Sequence, residues 1–77
     1  MTMMSTMRNT DETLLATCRA LVRKDIYGLV NVVLPDGTEG YCYATQILSS
    51  AVCDTQGVKV RQGKRCDLWF PSQLKLA

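Results

Sequence analysis

The sequence predicts a small, mainly β, α+β domain: a twisted or closed β-barrel of SH3-like or OB-like size, with four or five strands and one N-terminal helix. Three observations carry that expectation. The chain has only 77 residues, a size at which folding buries about 60% of the unfolded surface and leaves a thin core. β-Favouring residues gather in short runs after residue 26, separated by turn chemistry. Closure of such strands into a barrel would remove their vulnerable edges. A content of 47% hydrophobic and 21% charged residues places the chain in the globular class. The expected organisation is a disordered tail over 1–9, rich in methionines that have no periodic partner, and one domain over 10–77.

The first element is a helix over Asp11–Val22. Asn9 followed by Glu12 has the spacing of a capping box, and Leu14, Leu15, Cys18, Leu21 and Val22 recur on one helical face. Alternation of Cys18, Ala20 and Val22 keeps a strand open as the alternative. Ile26–Leu34 then reads as a strand, apolar on both faces, with Gly28 placed for a bulge. Pro35-Asp36-Gly37 supplies a turn, because proline presets φ and glycine accepts a positive one. Gly40–Leu48 is the expected return strand, with Tyr41, Tyr43, Thr45 and Ile47 on one face, and residues 49–57 read as a connection. A second hairpin covers Val58–Phe70. A two-residue turn at Gln62-Gly63 would mix apolar and charged side chains on each face. A loop of odd length instead sets Val60 opposite Cys66, Val58 opposite Leu68 and Lys59 opposite Asp67. That register turns Val58, Val60, Cys66, Leu68 and Phe70 inward and Lys59, Arg61, Arg65, Asp67 and Trp69 outward. Pro71 ends the strand or confines it to an edge, and a last short turn or strand over Ser72–Leu76 sets Leu74 and Leu76 on one side to close the bottom of the core.

Charge is unevenly spread. Residues 11–54 carry six acids and three bases, whereas residues 55–77 carry five bases and one acid. The start of the chain has no apolar run behind Arg8, so it does not read as a secretory signal, and no apolar run approaches the ~20 residues that cross a bilayer. The expectation is a cytoplasmic protein without membrane contact. Cys18, Cys42, Cys53 and Cys66 lack the close pairing of zinc ligands, and the chain has no histidine. Without an export signal, reduced thiols packed as small hydrophobes are expected rather than disulfides. No metal and no cofactor is implied.

The same inventory argues against an enzyme. Without histidine the usual general base is missing, no nucleophile elbow or phosphate-cradling glycine loop occurs, and Asp36 is a turn former. What remains is binding. Lys59, Arg61, Lys64 and Arg65 lie on the C-terminal hairpin with Trp69, the only tryptophan; Tyr27, Tyr41 and Tyr43 would extend the platform. Cations that meet phosphates and aromatics that stack bases describe a contact with single-stranded nucleic acid. The alternative is a protein-binding regulator or inhibitor of a larger host complex, of the kind that mobile genetic elements encode. It would use the same Trp/Arg face or an exposed strand edge. Homodimerisation through the apolar first strand, Ile26–Leu34, would also fit.

Overall fold

The computed structural model describes residues 10–24, 28–53 and 57–77. The expected tail over 1–9, with Asn9, lies outside them, as do Ile26 and Tyr27. The element order is α1 (Glu12–Arg23), β1 (Leu29–Val33), β2 (Glu39–Tyr43), α2 (Ala44–Cys53), β3 (Val58–Gln62), β4 (Arg65–Trp69), a 3-10 turn (Pro71–Gln73) and β5 (Lys75–Leu76). The strands form one antiparallel sheet in the order β4-β3-β2-β1-β5. This is a small α+β fold, as the sequence predicts. The sheet is open, however, with β4 and β5 as its edges, so the expected barrel closure is not formed. Two helices, rather than one, cover a single face and remove the need for closure: each supplies an apolar stripe to that face.

α1 forms where its apolar spacing predicts. Asp11 caps it, its side chain accepting from the Thr13 N–H, with Glu12 in the first turn and Arg23 in the last to suit the helix dipole. Leu14, Leu15 and Cys18 are fully buried, and Leu21 packs at the margin of the core. Val22, at the end of the predicted stripe, is exposed.

The first hairpin turns through a three-residue loop, Pro35-Asp36-Gly37. The Gly37 N–H donates to the Leu34 carbonyl at 2.9 Å, and Gly37 itself has φ +90°, a value only glycine adopts without strain. Asp36 Oδ1 accepts from the N–H and hydroxyl of Thr38 at 3.0 and 2.6 Å. β1 has neighbours on both sides but is covered on one face only: Val30 and Val32 are buried while Leu29 and Asn31 are exposed.

The return strand is shorter than expected. It stops at Tyr43, and α2 follows without a connecting residue, so Thr45–Leu48 and the predicted connection to Cys53 are helical. Ala44, Ile47 and Ala51 are buried and Leu48 packs against the core. That helical spacing satisfies the same residues better than a strand would, because it turns all of them toward α1 and the sheet.

The second hairpin also departs from the expected register. Val58 pairs with Trp69, Val60 with Asp67, Arg61 with Cys66 and Gln62 with Arg65. The loop therefore has two residues, Gly63 and Lys64, with Gly63 at φ +64° as the twist of a tight hairpin requires. Val58 and Val60 face the core as predicted, but on β4 the faces are reversed. Trp69 packs against the core margin, while Cys66 and Leu68 are exposed on the opposite face. Segregation of charge is not what sets this register. β4 is an edge strand, and Arg65 and Asp67 share the core-side face where the helices no longer cover it, joined there by an ion pair at 3.0 Å. Gly40 sets the approach of β2 to β3: a Cβ there would lie 2.6 Å from Val60 Cγ1 and 2.8 Å from the Arg61 carbonyl oxygen. Leu74 is buried and Leu76 packs beside it, closing the core as expected.

A candidate binding face on the open side of the sheet

With both helices on one side, the other side of the sheet is bare. Alternation along each strand decides what it displays. β1 contributes Leu29, Asn31 and Val33, β2 contributes Glu39, Tyr41 and Tyr43, β3 contributes Lys59 and Arg61, and β4 contributes Cys66 and Leu68. The registers align them in rows. Asn31, Tyr41, Arg61 and Cys66 are successive cross-strand partners. Beside that row, Leu29 pairs with Tyr43 and Lys59 with Leu68. Leu29, Tyr41, Tyr43, Gln46, Lys59 and Arg61 line a shallow depression of about 70 Å³. Tyr43 is 49% exposed and Leu68 66%. Among the described residues neither Lys59 nor Arg61 forms an ion pair; the pair recorded is Arg65 with Asp67.

The sequence-predicted site residues therefore separate. Lys59 and Arg61 stand together on the open face, with Tyr41 and Tyr43 brought beside them by the β2–β3 pairing. Lys64 sits at the exposed hairpin tip. Arg65 is on the other face, bound to Asp67. Trp69 is half-buried against the core, its indole Nε1 enclosed with no partner among the described residues. Tyr27 lies outside the described residues. Sequence reasoning placed neither Leu29 nor Leu68 on the site; the signal for Leu68 is the two-residue turn, which inverts β4, and that for Leu29 is its alternation out of phase with Val30 and Val32.

The thiols divide in the same way. Burial pushes the Cys18 thiol up to about 11 and the Cys42 thiol up to about 12, the latter also raised by Cys18. Both are protonated packing groups at neutral pH, without the thiolate that nucleophilic chemistry needs. Cys66, expected to face inward, is exposed. No cluster of three or more metal-ligating side chains forms among the described residues, and no helix among them is long and apolar enough to cross a membrane. Comparison with protein-family models, with curated proteins and with solved structures finds no match.

Proposed function

We propose that this chain is a small, non-enzymatic cytoplasmic protein that binds single-stranded nucleic acid on the open face of its sheet. One observation carries the reading: two tyrosines and two cations without an ion-pair partner among the described residues, Tyr41, Tyr43, Lys59 and Arg61, form a compact block around a depression on an uncovered face. Every base has a π face, so tyrosine stacking is tolerant of sequence and contributes about 1–3 kcal/mol per base. Lys59 and Arg61 lie one strand away from the tyrosines, where they meet the phosphates that link stacked bases. Lys75, across from Val33 at the far edge, lies on this side too, where Glu39 on the other flank of Val33 offsets its charge. Relative to the sequence expectation, the platform moves from Trp69 and Arg65 to the tyrosines of β2. The non-enzymatic part of the reading rests on a chain without histidine and on two buried, protonated thiols.

Exposed Leu29, Leu68 and Phe70 favour a second reading, a regulator that docks a protein partner on the same apolar border. Salt separates the two. Titration of isotopically labelled protein with a mixed-sequence single strand at low salt is expected to shift the amides of Tyr41, Tyr43, Lys59 and Arg61. The log–log salt slope should be about −1.4 if two phosphates are neutralised, and should fall by about half in Arg61→Ala. An oligonucleotide that leaves these amides unmoved would overturn the nucleic-acid reading.

A further inference from the structure

We infer that β4 is a self-association edge, pairing antiparallel with β4 of a second copy so that Cys66 lies on the two-fold axis. The inference stands independently of the nucleic-acid reading. The sheet has two edges. β5 is only two residues long, too short to template another strand, whereas β4 has five. Because Gln62 and Arg65 close a two-residue loop, their backbone groups bond each other, and the alternation continues along the ladder. Arg65, Asp67 and Trp69 direct their N–H and C=O toward β3; Cys66 and Leu68 direct theirs outward. The Phe70 N–H is taken by Gln73 Oε1 at 3.0 Å, which ends the free edge there. Between Arg65 and Trp69 the strand has no proline to blunt it, and its outward row carries Cys66 and a Leu68 that is 66% exposed.

Charge complementarity selects both the occupant and the register. With Cys66 opposite Cys66 of the second copy, Arg65 of each strand falls directly opposite Asp67 of the other, twice over. The intrachain pair between them becomes a four-membered network of alternating sign. Sliding by one pairing step puts Asp67 opposite Asp67, an unfavourable like-charge contact. In the complementary register the axis is perpendicular to the sheet, both pairs of helices stay on one side, and the two open faces join into one. A contact of this length is small, so association is weak and concentration-dependent.

The test is sedimentation equilibrium of the full chain up to near-millimolar concentration, with diamide oxidation and peptide mapping as a second readout. The expected result is a monomer–dimer equilibrium and a Cys66–Cys66 bridge between chains. Leu68→Pro removes an outward N–H without breaking the β3–β4 ladder, and should weaken association at least tenfold while circular dichroism is unchanged. Leu68→Lys, which keeps the N–H and adds a charge opposite Lys64 of the second copy, serves if the proline variant misfolds. A chain that stays monomeric overturns the inference. So does a dimer indifferent to Leu68, or a Leu68-dependent dimer in which no Cys66–Cys66 bridge forms.

Discussion

Asp11 is the residue at which two distant parts of the fold meet. One carboxylate oxygen accepts from the Thr13 N–H at 3.1 Å and caps α1, while the other accepts from the Leu76 N–H at 3.0 Å and holds β5. The Leu76 hydrogen bond, then those from Thr13 and the charge of Lys75, hold its carboxyl below the ordinary value of 3.8, against a smaller opposing effect of burial. Asp36, held by Thr38 in its turn, is lowered as well. A depressed folded-state pKa means the unfolded chain binds the proton more readily. The stabilisation is therefore complete above 3.8 and is lost as pH falls through the folded value. Asp11→Ala is expected to cost about 1–2 kcal/mol at neutral pH, since it removes a cap and a strand anchor together. Below 3.8 the gap between variant and wild type should close, because protonation has already weakened both contacts. Urea unfolding at the two pH values measures this; an equal gap at both would remove the charged carboxylate from the account.

At the level of elements, α1 was legible because Leu14, Leu15 and Cys18 recur at helical spacing with an acid at the start. The first turn was legible because Pro35-Asp36-Gly37 admits few conformations. α2 departs from the strand the sequence predicts for a physical reason. Tyr41, Tyr43, Thr45 and Ile47 alternate as a strand does, and the helical spacing of Ala44, Ile47, Leu48 and Ala51 overlaps that alternation. Over so short a run, periodicity does not choose between them. The hairpin over 58–70 was legible as a hairpin and not in its register, since a rule that sorts charge from apolar side chains fails on an edge strand whose core-side face is partly bare. Cysteine chemistry can verify the observed register. Arg61 and Cys66 are direct partners in a non-hydrogen-bonded position, where side chains approach most closely. Arg61→Cys should therefore form an intrachain disulfide with Cys66 under mild oxidation, and Val60→Cys should not. A bridge in the Val60 variant alone would restore the odd-length loop.

Across the whole molecule, the helices divide the sheet into a face that holds the fold together and a face left uncovered. Val30, Val32, Cys42, Val58 and Val60 are buried on the first, and Trp69 closes its margin. Tyr43, Lys59 and Arg61 lie on the second, where they are exposed. Half of the candidate site was legible for this reason: Lys59 and Arg61 alternate out of phase with Val58 and Val60, so the burial of the valines fixes the cations on the open side. The other half depended on β4 and on β2–β3 pairing, neither of which local pattern determines. The division makes stability and binding separable by substitution. Tyr43→Ala, Lys59→Ala and Arg61→Ala should each leave unfolding free energy within about 0.5 kcal/mol of wild type, as surface changes do, while weakening oligonucleotide binding. Trp69→Ala should do the reverse. It opens the core margin at a cost of about 3 kcal/mol and, at a temperature where the variant is still folded, leaves oligonucleotide affinity unchanged. Denaturant melts paired with anisotropy titrations decide the matter. Loss of binding in folded Trp69→Ala as large as that in Arg61→Ala would move the contact to the other face of the hairpin.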